Sequence, residues 1–177
     1  MTVATRLDIV DTDGFAPWVV TAARVYGDAM QRAPELVVQR GEIMQAHLHR
    51  RDFIAVIARD EADELVGFGY GYHGRAGEWW HDIVAAALGR DDAGRWMSDA
   101  FELAELHVRP DHQGKGLGRK MLADVAAHAV GRTIVLSTHD RESPARCLYQ
   151  SFGFVDLLRE FVFPGSTEVY AVMGKDR

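Results

Sequence analysis

The part of the 177-residue chain best suited to chemistry is a glycine-rich turn between a strand pattern and a helix pattern. It reads LHVRPDHQGKGLGRKML, residues 106–122, and it places Gly114, Gly116 and Gly118 at alternate positions. Glycine permits backbone conformations closed to other residues and lets main-chain N–H groups approach a ligand closely. The helix that follows offers unpaired N–H donors and the positive end of its dipole. Together these features predict a binding site for a phosphate or pyrophosphate.

The charge distribution supports a small anionic ligand at this turn. The chain carries 20 Lys and Arg against 26 Asp and Glu, a formal net charge of -6. Residues 109–120 contain four basic side chains and one acidic one, so this segment is +3 and the remainder is -9. General nucleic-acid binding needs a broad basic surface, because every phosphate of the backbone is negative. We therefore expect no nucleic-acid partner.

Other kinds of site lack their usual residue patterns. The glycine spacing is neither the dinucleotide pattern GxGxxG nor the phosphate-loop pattern GxxxxGK[ST], and GxSxG is absent. With Cys147 as the single cysteine, neither an intrachain disulfide nor a zinc site of several thiolates can form. His47 and His49 are two residues apart, so a helix would point them in different directions. We expect no metal site.

The start of the sequence, MTVATRLDIV, has no basic region followed by an apolar core of signal-peptide length. No run of 18 apolar residues follows anywhere in the chain. Together with the single cysteine, this favours a soluble, cytoplasmic protein without a membrane partner.

The hydrophobic pattern predicts one domain over residues 1–177, with the element order β-α-α-β-β, an insertion, then β-α-β-α-β-β. The insertion is a Trp-rich segment at about 77–98, with a helix predicted over 83–88. Around the glycine turn, the pattern strand, turn, helix and strand indicates a βαβ unit. Ser143 followed by Pro144 predicts the start of a short helix that carries Tyr149.

The spacing Gln113-x-x-Gly116-x-Gly118 resembles the Q/R-x-x-G-x-G/A signature of the GNAT superfamily of acyl-CoA-dependent N-acyltransferases. LHVRP is similar to that family's fourth strand, and SPARCLYQSFGF to its second CoA-contacting segment. These motifs cover roughly residues 101–163, whereas the N-terminal half agrees only in element order. The resemblance implies an α/β (α+β) fold with a mixed, mostly antiparallel sheet of six to seven strands, flanked by helices.

The resemblance also implies acetyl-CoA as the co-substrate and a set of contacts to it. The pyrophosphate would be bound by the amides of the glycine loop, which are those of Gln113, Gly114, Lys115, Gly116, Leu117, Gly118 and Arg119. The pantetheine arm would pair with the backbone of strand four at Leu106, His107 and Val108. Ser143 would be a further cofactor contact, at the start of the second segment.

Three residues are candidates for catalysis. Tyr149 matches the tyrosine that the family commonly uses as general acid toward the departing thiolate, although it could instead simply pack a helix face. Glu102 and Glu105 are candidate carboxylates for deprotonation of the amine, and strand alternation places them on opposite faces unless a bulge intervenes. We favour Glu105 as the acceptor-side carboxylate and keep Glu102 as its rival. Either could instead be an exposed strand charge.

Two functions remain open from the sequence. The first is transfer of an acetyl group from acetyl-CoA to a primary amine by direct attack in a ternary complex, with a small-molecule or peptide amine as acceptor. The second is a CoA-binding sensor or interaction module with little or no catalysis. Ser137 and Glu142 leave room for it, because some family members carry a glutamate base and a pantetheine-binding asparagine at these positions. Similar enzymes are commonly dimers, so a homodimer is one expected state.

Overall fold

The structure is a computed structural model that describes residues 5–177. Within this range the strands are β1 (Arg6–Val10), β2 (Ile54–Arg59), β3 (Leu65–His73), β4 (Ala100–Val108), β5 (Thr133–His139), β6 (Val155–Phe161) and β7 (Tyr170–Asp176). The α-helices are α1 (Thr12–Phe15), α2 (Val19–Met30), α3 (Pro34–His47), α4 (Trp79–Leu88), α5 (Arg90–Trp96), α6 (Leu117–His128) and α7 (Pro144–Ser151). Short 3₁₀ turns lie at Ala16–Trp18 and Pro110–His112.

The strands form a seven-stranded sheet in the order β1-β2-β3-β4-β5-β7-β6. Strand β2 pairs antiparallel with β1 and β3, and β7 pairs antiparallel with β5 and β6. Strand β4 pairs parallel with β5, in a register that runs from Ala100↔Thr133 to Glu102↔Val135. The predicted mixed, mostly antiparallel sheet with flanking helices is therefore confirmed.

Contacts between Cα atoms group the chain into two compact units. Among the described residues, unit 1 comprises residues 5–72 and Ala104–Ala129, and unit 2 comprises His73–Leu103 and Val130–Arg177. The single domain over residues 1–177 stays a prediction, and residues 1–4 lie outside the described part of the chain.

The two faces of β3 explain how unit 1 is packed. Glycines at 67, 69 and 71 alternate with aromatic residues at 68, 70 and 72, so one face is smooth and the other bulky. On the bulky face, the Phe15 ring lies 6.0 Å from Phe68 and 5.4 Å from Tyr70. On the smooth face, a Cβ added to Gly67 would lie 3.2 Å from the Met121 side chain of α6. The aromatic face therefore packs against the helices of the N-terminal segment, and the glycine face packs against α6.

Helices α2 and α3 cross closely, and this crossing positions the functional side chains of α3. Gly27 of α2 has no room for a side chain, because an added Cβ would overlap the Val37 side chain of α3. Helix α2 ends at Met30 and is capped by Gln31, which adopts the left-handed conformation with φ 51°, and α3 starts with Pro34 in its first turn. The short connection and the glycine contact fix α3 against α2.

The Trp-rich segment forms two helices of unit 2, where the sequence predicted one over 83–88. Helix α4 begins four residues earlier than predicted, at Trp79, and α5 follows after Gly89, which has φ 79°. The start of α4 is held by the Asp82 carboxylate, which accepts a hydrogen bond of 3.0 Å from the Gly77 N–H. Val84 and Trp96 pack in one buried cluster with residues of β5 and β7. This segment thus supplies part of the core of unit 2.

Candidate active site

The glycine loop of unit 1 has the geometry that its residue types predicted. Gly114 and Gly116 have φ values of 73° and 78°, which only glycine adopts readily, and α6 begins at Leu117. The Gln113 side chain braces the loop, because its Nε2 donates a 2.9 Å hydrogen bond to the carbonyl of Val108 at the end of β4. The loop is therefore anchored to the strand that precedes it.

Five consecutive main-chain N–H groups lie at the start of α6. Across residues 5–177, no protein acceptor is found for the N–H groups of residues 114–118, and α6 has no side-chain N-cap. The predicted donor Gln113 differs, because its N–H donates to the Pro110 carbonyl at 3.3 Å. Arg119 lies in the first turn of α6. Unpaired amides at the positive end of a helix dipole suit an anion such as a pyrophosphate.

The one acidic residue of this loop is held by basic neighbours. The exposed Asp111 carboxylate accepts hydrogen bonds from Arg109 at 2.6 Å and from His112 at 2.9 Å. These hydrogen bonds, from Arg109 first and His112 second, hold the pKa of Asp111 below its ordinary value. The Lys115 ammonium donates to the main-chain carbonyl of Asp111 at 2.8 Å. The carboxylate is thus paired, and the segment keeps its positive charge.

Glu105 is the centre of a buried charged cluster in unit 1. Its Oε1 accepts a 3.0 Å hydrogen bond from Arg40 Nη1 of α3, and its Oε2 lies 2.6 Å from His107 Nε2. Burial alone would raise the pKa of Glu105, but the hydrogen bond and charge of His107, followed by the charge of Arg40, lower it below its ordinary value. Burial would likewise lower the pKa of Arg40, and Glu105 raises it. Glu105 is therefore ionised near neutral pH.

Aromatic rings hold this cluster in place. The Tyr26 ring meets the His107 ring edge-on at 5.2 Å, and the Phe68 ring lies 5.6 Å from His107. The Arg40 guanidinium lies over the Tyr26 ring, 4.7 Å from its centroid. Apolar walls strengthen the electrostatic interactions of the groups that they enclose.

The sequence did not indicate two further members of this region, Arg40 and His47. His47 lies between two phenols, with its Nδ1 at 3.0 Å from Tyr70 Oη and its Nε2 at 3.4 Å from Tyr72 Oη. The sequence offered one indication of the site of His47. The tyrosines at alternate positions of β3 predict an aromatic and polar strand face, and His47 contacts that face. No local spacing connects Arg40 with Glu105, because 65 residues separate them.

Glu102, the rival carboxylate, belongs to unit 2 and is also buried, with 4% exposure. Its Oε2 lies 2.8 Å from the position that a Cβ on Gly74 would take, so glycine is needed beside it. Since Glu105 is 6% exposed, neither glutamate is the exposed strand charge that the sequence left open.

Helix α7 of unit 2 carries the candidate acid. Ser143 is its N-cap, as predicted, and the Ser143 Oγ accepts a 3.2 Å hydrogen bond from the Arg146 N–H. Tyr149 is 7% exposed, and its ring packs edge-on against Phe154 at 5.8 Å. Ser137 of β5 accepts a 3.2 Å hydrogen bond from the indole of Trp80. The thiol of Cys147 is exposed.

Among residues 5–177, no group of three or more His, Cys, Asp or Glu side chains is arranged to hold a metal ion. In the same part of the chain, no helix combines the length and apolar composition needed to cross a membrane.

Comparison with known proteins identifies the family. The model of the acetyltransferase (GNAT) domain matches residues 51–156, more than half of the chain. The GCN5-like protein acetyltransferase Rv2170 of Mycobacterium tuberculosis is 30% identical over 183 residues, which cover 87% of this chain and 89% of that protein. The chain therefore belongs to the GNAT family of acetyltransferases. It is an N-acetyltransferase, as the glycine-loop signature indicated.

Solved structures share the fold. NAA60 of Arabidopsis thaliana, in complex with a bisubstrate analogue, matches with a TM-score of 0.68 at 15% identity and 98% coverage of both chains. The PaiA N-acetyltransferase of Thermoplasma acidophilum, in complex with coenzyme A, matches with a TM-score of 0.61 at 13% identity. That match covers 98% of this chain and 99% of the PaiA chain.

Proposed function

We propose that the protein transfers an acetyl group from acetyl-CoA to a primary amine by direct attack in a ternary complex. The observation that carries this proposal is the row of unpaired N–H groups at residues 114–118, at the start of α6. Such a row, beside a net positive segment, is suited to a pyrophosphate. The PaiA structure with coenzyme A supports the choice of ligand, since it shares the fold.

The residues present fit acetyl-CoA along one strand and the loop that follows it. In this proposal the amides of the loop and Arg119 bind the phosphates, the backbone of 106–108 binds the pantetheine arm, and Ser143 adds a contact from α7. Strand β4 continues to Val108, beyond Glu102, the last residue in register with β5. When bound, acetyl-CoA supplies an activated thioester.

The acceptor amine must lose a proton before it can attack. A free alkylamine resembles lysine, with a pKa of about 10.4, and is therefore mostly protonated near neutral pH. We propose Glu105 as the acceptor-side carboxylate that assists this deprotonation, because it is ionised and lies among polar side chains from α3 and β4. Glu102 stays the rival candidate. Tyr149 donates a proton to the departing thiolate.

The acceptor is a small-molecule amine or an amine on a peptide or protein. The Mycobacterium tuberculosis relative is named a protein acetyltransferase, which favours a lysine side chain or an N-terminus. The N-terminal segment supplies the tyrosines of the Glu105 region, and an amine-bearing chain can stack on such rings.

Calorimetry and turnover test the proposal together. Acetyl-CoA and CoA are titrated into the protein, and thiol release from acetyl-CoA is then followed with a panel of polyamines, amino acids and lysine peptides. We expect micromolar binding and saturable turnover with at least one amine. Absence of acetyl-CoA binding at millimolar concentration would overturn the proposal. Tight binding without turnover for every amine would instead support the CoA-binding sensor.

A further inference from the structure

We infer that His107 is the group that takes the proton from the acceptor amine, with Glu105 as the residue that positions it. This inference rests on the proposed acetyl transfer and names the base for it. Two contacts support this inference. Glu105 Oε2 lies 2.6 Å from His107 Nε2, and Glu105 Oε1 lies 3.0 Å from Arg40.

The contacts of Glu105 argue against direct proton abstraction by its carboxylate. Each of its oxygens has a short charge-assisted partner, and its side chain is only 5% exposed, against 14% for His107. A lowered pKa also makes the carboxylate a weak base toward an amine. Proton transfer from an alkylamine spans about six pKa units to an ordinary glutamate and about four to an ordinary imidazole. The imidazole is therefore the more accessible and the better-matched acceptor.

Glu105 also determines which nitrogen of His107 can accept a proton. An ionised carboxylate only accepts hydrogen bonds, so the neutral imidazole must carry its proton on Nε2. Its lone pair is then on Nδ1, for which residues 5–177 offer no hydrogen-bond partner. The edge of Tyr26 and the ring of Phe68 restrict rotation of the imidazole. The result is a fixed tautomer with one basic nitrogen available.

His47 of α3 is the other histidine of this region, and its contacts distinguish it from His107. Both of its ring nitrogens face phenol oxygens, those of Tyr70 and Tyr72. A histidine held in this way lacks the open nitrogen that a base requires.

In the proposed reaction, protons move between the acceptor amine, His107 and Tyr149. The acceptor ammonium gives one proton to His107 Nδ1 and becomes a neutral amine, while Glu105 stabilises the imidazolium. The amine nitrogen then forms a bond to the thioester carbonyl carbon, and the carbon–sulfur bond breaks. The sulfur takes a proton from Tyr149. As the amide forms, the nitrogen loses its second proton, which returns through solvent to the Tyr149 phenolate, and His107 releases the first proton to solvent.

The ionisable groups around Glu105 and His107 of β4 come from three further elements. They are Tyr26 of α2, Arg40 and His47 of α3, and Tyr70 and Tyr72 of β3, whose phenols contact His47. A loss of activity at acid pH can therefore be assigned to His107 only by comparing histidine variants.

The test compares His107→Gln with wild type and with His49→Gln, a control at an exposed histidine after the end of α3. With an acceptor that the wild type acetylates, we expect kcat to fall about 100-fold in His107→Gln, within the usual range for loss of a general base. Acetyl-CoA affinity by calorimetry should stay within about threefold, because it is the backbone of residue 107 that is proposed to contact the cofactor. Any loss of wild-type activity at acid pH should be absent in His107→Gln and retained in His49→Gln.

Two further readouts separate a base from a structural histidine. Added imidazole should restore part of the activity of His107→Ala, because it can replace the missing base. NMR of ¹⁵N-histidine-labelled wild type without ligand should show the proton on Nε2 of His107. In Glu105→Gln the side-chain amide can donate to Nε2, so the proton should move to Nδ1 and kcat should fall to a similar extent.

The outcomes distinguish this inference from the function on which it rests. Loss of acetyl-CoA binding or of all turnover in the wild type would overturn the proposed function. Wild-type turnover with an unchanged rate and pH profile in His107→Gln would overturn the role of His107 alone. If His107→Gln does not fold, the wild-type NMR spectrum decides, since a proton on Nδ1 near neutral pH would overturn the inference without any variant.

Discussion

Replacing Arg40 by methionine should destabilise the protein by an amount that depends on pH. The substitution keeps a long apolar side chain on α3 but removes the cation from Glu105, whose side chain is 5% exposed. Breaking a fully buried ion pair costs about 3–5 kcal/mol. The Arg40 side chain is 34% exposed, so solvent screening reduces the expected loss to about 1–2 kcal/mol. The lost interaction of the guanidinium with the Tyr26 ring adds about 0.5–1 kcal/mol.

The sign of the pH dependence follows from the lowered pKa of Glu105. A carboxyl group with a lowered folded-state pKa contributes stability above its unfolded value of about 4.3, and this contribution disappears as the pH falls through the folded value. Without Arg40, the pKa of Glu105 should rise, because the effect of burial is less opposed. The loss of stability should therefore be largest near pH 7.5 and should be smaller at pH 4, where this contribution begins to disappear.

Urea unfolding of wild type, Arg40→Met and Arg51→Met at both pH values measures this effect. Arg51 is the matched control, since it pairs with Asp52 at a site where the two side chains are 64% and 42% exposed. It should change stability by less than about 0.5 kcal/mol. The double variant Arg40→Met with Glu105→Leu should recover most of the loss, because no unpaired charge remains. Equal losses in the two arginine variants, or a loss that grows toward pH 4, would refute the reasoning.

Three further changes test other parts of the protein. Tyr149→Phe should lower kcat at least tenfold with unchanged acetyl-CoA affinity, measured by turnover and calorimetry; unchanged turnover would remove the acid role. Gly116→Ala should weaken acetyl-CoA binding about fivefold through strain at φ 78°, whereas Gly165→Ala, with φ 82° and equally open space, should not. Gly27→Ala should lower the free energy of unfolding, measured in urea, by about 1–3 kcal/mol, because the added methyl group overpacks the contact between α2 and α3. Gly94→Ala, at a helical position with open space around it, should instead raise the free energy of unfolding by about 0.5–1 kcal/mol.

Features set by neighbouring residues were predictable from the sequence. Ser143 and Pro144 together mark a helix start, and α7 begins at Pro144 with Ser143 as its N-cap. The glycines at 114 and 116 indicated positive φ angles before a helix, and both are observed. These signals depend on local backbone preferences, which do not require the rest of the fold.

Features set by distant residues were not predictable. The pair of Arg40 and Glu105 joins α3 to β4 across 65 positions, and nothing in the sequence near either residue indicates the other. Helix α5 was also missed, because its residues Arg90–Trp96 are mostly charged or small and it is Trp96 at its end that packs into the core. Burial of one residue at the end of a polar helix is a tertiary effect.

The charged cluster of unit 1 contributes both to stability and to the proposed deprotonation. This double role restricts which residues can replace its members. His107 and Arg40 together keep Glu105 ionised in a buried setting, and an ionised Glu105 determines the tautomer of His107. A neutral residue at position 105 could fill the same space, yet it would no longer hold the proton of His107 on Nε2. On this reasoning, any replacement that preserves packing but removes the negative charge should retain folding and acetyl-CoA binding while losing amine deprotonation.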